Sequence, residues 1–456
     1  MSTRPCTHCG KEFAVPLSET TTTFCPACVR AAGDAGQAAL GQESYKSPSY
    51  PVTLALIGVN TLVFAAMVLR GVSFFFPTPQ QAIAFGADFG PLTLNGQWWR
   101  LVTSMFVHFG IIHIGVNMWA LWNLGRAGEI LMGRFSYLLA YFASGILGSI
   151  ASVYWQPMAA GAGASGAIFG MAGVLFTFVY LKKTPAHLQI NKKMLSSLGG
   201  IIFYNLVIGA SIPGISNAAH VGGLVMGALV GALLPAASAS ESSRRTRLSL
   251  VVVFCAASLF ASAVAAKHFR SGVAELPSIQ GLISQGKNDE AIKRLQEITA
   301  REPQFAAAHD LLAKLYLSGG DYPKAISALE KANAADPSNT TYQRQLAGAY
   351  LAAKQFDQAA AFFQKLVRAN PRDARNYVGL GTAYMELQQY DAAISAFSQA
   401  AALDPKSPAP KFALGQAQLK ASRFADAKVT FQRLVDEFPN DPRARAGLDL
   451  ASRQSH

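Results

Sequence analysis

Four polar side chains stand inside apolar stretches of this chain, where polar groups are expensive. Ser165 lies in Gly163-Ala164-Ser165-Gly166, and His220 in Ala219-His220-Val221-Gly222-Gly223. His113 and Asn117 share the segment His113-Ile114-Gly115-Val116-Asn117. Strongly polar residues at membrane depth are rare and default to a functional role. A hydroxyl, an imidazole and further N–H donors are also the minimum set for acyl transfer. The hydroxyl attacks a carbonyl, the imidazole takes its proton and returns it to the leaving amine, and the donors hold the developing oxyanion. His113 and Asn117 are four residues apart on one helical face, so both can donate to the same oxygen. No acidic residue accompanies His220, which points to a Ser165–His220 dyad rather than a triad.

Composition says what must position them. The chain has 456 residues, 51% of them hydrophobic and 14% charged. Residues 1–270 carry 17 Lys/Arg and 7 Asp/Glu, whereas 271–456 carry 22 and 19. The first part is therefore sparse in charge and basic, and the second has the surface of an ordinary soluble domain. No basic run is interleaved with aromatics, so a nucleic-acid partner is excluded. Seven apolar stretches read as spans: 52–70, 104–125, 135–154, 165–181, 198–212, 217–234 and 248–266. A bilayer core of about 30 Å takes roughly 20 residues of helix. The broken, aromatic segment 71–103, with Phe74-Phe75-Phe76 and Trp98-Trp99-Arg100, is too polar to cross and suits the interface.

Basic residues set the orientation. With the N-terminus cytosolic, the inner segments carry Lys46, Arg126 and Arg134, Lys182, Lys183, Lys192 and Lys193, and Arg244, Arg245 and Arg247. The outer loops near 155–164 and 213–216 carry neither Lys nor Arg, as the positive-inside rule requires. A rise of about 1.5 Å per residue then puts Ser165, His113 and His220 about 25, 20 and 22 Å above the inner boundary. All three fall at one level, roughly 5–10 Å below the outer face. That agreement argues for one shared cavity opening outward. Gly166 and Gly170 follow Ser165, and Gly223, Gly227 and Gly231 follow His220 at every fourth position. Small residues so spaced let two membrane helices pack backbone to backbone.

Cys6, Cys9, Cys25 and Cys28 form C-x2-C, fifteen residues, C-x2-C, a spacing that suits a tetrahedral structural Zn2+. With no secretory signal ahead of them, they are expected in the reducing cytosol as thiolates. Cys255 lies in an apolar run and is expected to pack as a small hydrophobe. At the other end, Pro303, Pro337, Pro371, Pro405 and Pro439 recur every 34 residues. In register with them run Ala291, Ala325, Ala359, Ala393 and Ala427, and Leu295, Leu329, Phe363, Phe397 and Phe431. Small residues let two helices approach, aromatics fill between them and proline ends the second helix. This resembles about five tetratricopeptide repeats over 272–439. Their concave surface is expected to take a peptide or protein partner.

The ordered motifs of the membrane part resemble the rhomboid intramembrane serine proteases. They are Trp99-Arg100, His108, His113-x3-Asn117, Gly125-x3-Glu129-x3-Gly133, Gly163-Ala164-Ser165-Gly166 and Ala219-His220-x2-Gly223-x3-Gly227. The resemblance implies Ser165 as nucleophile, His220 as base, and His113 and Asn117 as oxyanion donors. It implies cleavage of transmembrane or juxtamembrane segments of membrane-protein substrates, with no cofactor for catalysis. The family commonly has tyrosine four residues after the serine, where this chain has Phe169, which can stack on the histidine but has no hydroxyl. His108 is expected to be a structural partner, and Arg100 and Glu129 to tie loops. The expected fold is all-α: a polytopic bundle of a six-helix rhomboid core plus a seventh span, an α-solenoid of tetratricopeptide repeats, and a small N-terminal four-cysteine zinc-ribbon-like module. The expected divisions are 1–30 (zinc module), 31–50 (linker), 51–235 (rhomboid membrane domain), 248–266 (seventh helix) and 272–456 (repeats). The expected location is the plasma membrane, multi-pass, with the N-terminus cytoplasmic and the repeats extracytoplasmic. The alternative is a catalytically silent rhomboid-like scaffold that binds membrane proteins through its repeats.

Overall fold

The computed structural model describes residues 2–7, 9–15, 24–28, 49–183, 216–235 and 241–454, with isolated residues at 200, 202 and 207. Strands β1 (Ser2–Pro5) and β2 (Glu12–Val15) pair antiparallel, with Pro5 opposite Glu12, and are the only strands among the described residues. The rest is helical. In the membrane part the described helices are α1 (Pro51–Leu69), α2 (Pro79–Ala84), α3 (Gly90–Thr93), α4 (Arg100–Thr103), α5 (Ile111–Met132), α6 (Arg134–Trp155), α7 (Ser165–Tyr180), α8 (Asn217–Leu233) and α9 (Glu241–Phe269). By length and composition α1, α6 and α9 can each cross a bilayer, and α5 can do so together with Arg100–Phe106, to which it is bent by 94°. At 16 and 17 residues α7 and α8 are shorter, about 24–26 Å at 1.5 Å per residue. A helix of that length starts below one face of a 30 Å core, and α7 starts at Ser165.

Two expected spans have other limits. The second, expected over 104–125, is the helix α5, which begins only at Ile111. Gly110 has φ +99 and breaks the chain there, and a Cβ on it would overlap the Phe75 carbonyl oxygen. The helix then runs to Gly133, at φ +78. The seventh, expected over 248–266, extends to Glu241–Phe269, because the basic residues Arg244, Arg245 and Arg247 continue its helix beyond the apolar run. The expected span 198–212 lies almost wholly outside the described residues.

Polar groups tie this bundle at its edges. Glu129 accepts the backbone N–H groups of Val52 and Thr53 at 3.1 and 2.8 Å and the Thr53 hydroxyl at 2.8 Å, so a buried carboxylate satisfies the free N-terminus of α1. Lys183 Nζ donates to the carbonyls of Gly231, Ala232 and Leu234 at 3.1, 2.6 and 2.7 Å, which closes the C-terminus of α8. Arg100 is buried and donates to the Ile83 and Ala87 carbonyls at 2.7 and 2.9 Å, fixing the segment between α1 and α5.

The C-terminal part stacks helices in antiparallel pairs: α10 (Ser271–Ser284) with α11 (Asn288–Arg301), α12 (Ala306–Ser318) with α13 (Tyr322–Ala335), α14 (Thr340–Ala352) with α15 (Phe356–Ala369), α16 (Ala374–Glu386) with α17 (Tyr390–Leu403), and α18 (Pro408–Lys420) with α19 (Phe424–Glu437). A final helix, α20 (Pro442–Gln454), covers the end. The periodic alanines Ala291, Ala325, Ala359, Ala393 and Ala427 are fully buried. The periodic glycines make room for the periodic aromatics: a Cβ on Gly381 would meet the Phe397 ring at 2.7 Å, and one on Gly415 the Phe431 ring at 2.6 Å. The array is not a free tail. Leu94 and Leu101, Ile150 and Val153 of α6, and Val273, Leu276 and Ile279 of α10 belong to one buried apolar cluster. Arg270 adds a hydrogen bond from Nε to the Tyr154 carbonyl at 2.8 Å. The repeats thus sit at the end of the bundle where α6 hands over to α7, opposite the end that Lys183 closes.

One periodic feature escapes composition. The turn inside each helix pair holds a residue with positive φ: Gly286, Gly320, Lys354, Gln388 and Ser422, at φ 75, 76, 60, 61 and 57. Left-handed backbone is free for glycine and costs other residues roughly 1–2 kcal/mol. Gln388→Gly and Ser422→Gly are therefore expected to stabilise the array by about 1 kcal/mol each, read as a higher urea midpoint for loss of helical circular dichroism, whereas Gly320→Ala lowers it.

Candidate active site

Helix α7 begins at Ser165 itself, so the first backbone N–H groups of the helix are free around the hydroxyl. Helix α8 is capped by Ser216, whose Oγ accepts the Ala219 N–H at 3.3 Å, and this start puts His220 in the first turn. The two helices touch through their glycines. A Cβ on Gly223 would overlap the Gly166 carbonyl oxygen, and one on Gly227 that of Gly170. With no side chain between the backbones, Ser165 Oγ lies 2.9 Å from His220 Nε2. The imidazole is buried and stacked on Phe169, ring centroids 4.3 Å apart and planes 4° from parallel. Among the described residues its Nδ1 has no hydrogen-bond partner. Glu129, buried in the membrane part, is bonded to the start of α1, and among the described residues no carboxylate is bonded to the imidazole.

His113 lies in the first turn of α5. Its Nδ1 accepts the Phe109 backbone N–H at 3.2 Å. That bond requires an unprotonated Nδ1, which leaves the proton on Nε2 and makes Nε2 a donor. Gly163, at φ +122, is what admits the ring, since a Cβ there would lie 2.9 and 3.0 Å from His113 Cε1 and Nε2. The His113 ring therefore abuts the segment that leads directly into Ser165. Asn117, buried one turn on, gives one amide hydrogen to the His113 carbonyl at 2.8 Å and keeps the second. His108 is fully buried, donates from Nδ1 to the Phe106 carbonyl at 3.2 Å, and presents its ring to His113 at 5.1 Å. Ser165, His113 and His220 thus lie in the first turns of their helices and Asn117 one turn further on, with Ser165 and His220 in direct contact.

Sequence reasoning missed how the serine loop is held. Asp88 and Gly161 exchange both backbone hydrogen bonds at 2.9 Å, Gly90 N–H donates to the Pro157 carbonyl at 2.9 Å, and Gly163 N–H donates to the Ser104 carbonyl at 2.8 Å. The segment between α1 and α5 is therefore laced to the 156–164 loop. The Asp88 carboxyl is buried beside Ser149 and Ser104, and burial pushes it up to about 7, against the opposing pull of those hydroxyls, the Gly161 backbone and Arg100. The available signal was Asp88 itself, one of 7 acidic residues in the first 270, in a segment otherwise read only as interfacial.

At the N-terminus, the ligand atoms of Cys6, Cys9, Cys25 and Cys28 all lie within 4.8 Å of one another. A tetrahedron with metal–sulfur bonds of about 2.3 Å has edges of about 3.8 Å. Cys9 and Cys25 Sγ stand 3.8 Å apart. The first knuckle is turned by Gly10, at φ +71, and the Cys25 N–H donates to Cys6 Sγ at 3.2 Å, a bond that stabilises a thiolate. The donor set fits a tetrahedral ion with no open position.

The model of the rhomboid domain matches residues 95–237, and that of the tetratricopeptide repeat matches 282–344, 316–384 and 384–449. The chain is 33% identical over 276 residues to the rhomboid protease GluP of Bacillus subtilis (strain 168), a match covering 59% of this chain and 52% of that protein. It is 32% identical over 205 residues to the rhomboid protease AarA of Providencia stuartii, covering 39% of this chain and 70% of that one. This chain thus spans about half the length of GluP. Among solved structures, MamA 41-end from Desulfovibrio magneticus RS-1 is similar over 39% of this chain and 96% of that one, at 23% identity and a TM-score of 0.35.

The close seat of His113 against Gly163 is directly testable. Gly163→Ala places a Cβ in left-handed backbone and against the ring, at a cost of about 1–3 kcal/mol. Expected is a lower thermal midpoint in detergent, with faster amide hydrogen exchange at Gly163, whose N–H is bonded to the Ser104 carbonyl. An unchanged midpoint and unchanged exchange in the variant would show that this contact does not set the geometry.

Proposed function

Because the chain belongs to the rhomboid family, we propose that it is an intramembrane serine endopeptidase that cuts transmembrane or juxtamembrane segments of other membrane proteins. The observation that carries this reading is the 2.9 Å contact of Ser165 Oγ with His220 Nε2. It favours an active enzyme over a silent scaffold, which has no use for an aligned hydroxyl and imidazole in an apolar bundle.

In the mechanism, Ser165 Oγ attacks the scissile carbonyl while His220 Nε2 accepts its proton. The oxyanion is met by the His113 Nε2–H, the free amide hydrogen of Asn117 and the Ser165 backbone N–H at the start of α7. The intermediate collapses as His220 passes its proton to the leaving amine, and an acyl ester remains on Ser165. Water then attacks this ester, with His220 again taking a proton, and carboxylate and free serine are restored. Phe169 holds the imidazole plane by stacking alone. No cofactor enters the chemistry.

The basic ends of the helices carry the rest of the reading. The chain is a multi-pass membrane protein, and we place Arg126, Arg134, Lys182, Lys183 and Arg244 on the cytoplasmic side of the plasma membrane. The repeats, docked at the Ser165 end, are then extracytoplasmic, with a peptide or protein partner on their concave face. The four-cysteine module is cytoplasmic and holds one structural Zn2+. The divisions 1–30, 31–50, 51–235, 248–266 and 272–456 describe the working parts.

A fluorophosphonate probe is expected to label the purified chain once, at Ser165, and to fail on Ser165→Ala and His220→Ala. Labelling of the Ser165→Ala variant, or cleavage of a model transmembrane substrate by it, would overturn the mechanism. Asn117→Ala is expected to retain labelling and to lose about 10²–10³ in kcat, or about 2.7–4 kcal/mol of transition-state stabilisation. For the N-terminal module, elemental analysis is expected to return one zinc per chain, and none in Cys25→Ser, with cleavage by the detergent-solubilised enzyme unchanged.

A further inference from the structure

The first helix of the repeat array does something that the other repeats do not. Helix α10 is built into the array on one side. Its start is held by Glu302, whose Oε1 accepts the Gly272 N–H at 2.7 Å, and Arg301 pairs with Glu275 at 2.6 Å. On its other side it packs on α3, a short helix of the segment between α1 and α5. Val273, Leu276 and Ile279 are almost fully buried in the same cluster as Leu94 and Leu101, and the half-buried Trp98 packs against it. A helix that covers its apolar face with membrane-domain loops cannot also serve as an open peptide-binding surface.

The covered segment is not peripheral to the site. Leu94 caps α3 at its C-terminus, Gly90 begins it, and Asp88 precedes it by two residues. Through Gly90, Asp88 and Ser104 this segment holds Pro157, Gly161 and Gly163 by four backbone hydrogen bonds of 2.8–2.9 Å. Gly163 is two residues from Ser165 and abuts His113. A contiguous set of packed and hydrogen-bonded groups therefore runs from α10 to the serine loop, a route of the kind that carries energetic coupling. Repeat arrays are quasi-one-dimensional, each unit coupled to its neighbours, so a change in one repeat is passed along the array to its first helix.

We infer that α10 is a positioning element of the active site: docked on α3, it holds the 156–164 loop in register, and occupancy of the repeats by a partner alters turnover even of substrates that never touch them. The inference rests on the Ser165–His220 reading, and deepens it by making the array a regulator of kcat as well as a capture device. Val273, Leu276 and Ile279 act through α3 and touch no reacting atom.

Two variants of the full chain test this. A four-residue Gly-Ser insertion between Arg270 and Ser271 frees α10 from the end of α9, and Trp98→Ala trims the docking face from the membrane side without altering the array. Each is measured with a transmembrane peptide substrate whose outer segment is too short to reach the repeats. Expected are a kcat lower by about tenfold or more, as for other small misplacements at a reacting centre, an unchanged KM, slower fluorophosphonate labelling, and faster amide hydrogen exchange in 156–164. If α10 shows faster exchange, and so is released, while kcat and the exchange of 156–164 stay at wild-type values, the coupling is refuted. A change confined to KM also refutes it, since the repeats would then only tether. Failure of the wild-type chain to label would count against the serine mechanism alone, and the exchange of 156–164 would still decide the coupling.

Discussion

Two helix backbones in contact, α7 and α8, are the constraint on which the rest of this structure depends. In a bilayer, apolar side chains gain nothing by leaving lipid for one another, so helices associate through close packing and internal hydrogen bonds. Gly166, Gly170, Gly223 and Gly227 bring carbonyl oxygens to within contact of opposing Cα positions. That approach is closer than any pair of side-chain-bearing helices allows. It delivers a serine at the first residue of one helix to a histidine in the first turn of the other. Neither residue needs a long or strained side chain to meet its partner, and neither needs a carboxylate to hold it, because the imidazole plane is fixed by Phe169 and by burial.

Around this contact, several polar side chains are spent on backbone groups. Glu129 closes the start of α1, Lys183 the end of α8, Arg100 the loop carbonyls of Ile83 and Ala87, and Phe109 N–H the Nδ1 of His113. Helix ends and loops are where backbone N–H and C=O lack partners, and in lipid those vacancies cost several kcal/mol each. A polar site within a bilayer needs irregular backbone beside it to admit water. Here that irregular backbone is the laced pair of segments 86–106 and 156–164, and it is tolerated because the two segments satisfy each other's amides and carbonyls.

Much of this was legible from residue spacing. Five prolines and five alanines at a period of 34 identify the array outright, since only repeated packing of the same two helices requires that register. Ser165, His220, His113 and Asn117 were legible because hydroxyl, imidazole and amide groups are conspicuous against apolar surroundings. The start of α5 was not legible, because hydropathy continues across Ser104–Phe106 while the break is set by a positive φ at Gly110 and the carbonyl of Phe75, far off in sequence. Nor was the docking of α10. Its leucine, isoleucine and valine look like an ordinary degenerate first repeat, and only the fold reveals that the membrane domain supplies part of their packing. The tautomer of His113 was equally hidden, since it is set by one backbone amide.

The same docking makes the solenoid's two ends unlike. Repeat arrays melt by fraying, because each unit leans only on its neighbours. At its beginning this array leans on the helix bundle, whereas α20, the helix Pro442–Gln454 that packs on the last pair, is exposed over most of its described residues. The pair α10 and α11 is therefore held from two sides, by the next repeat and by the bundle, where an inner repeat of a solenoid leans on other repeats alone.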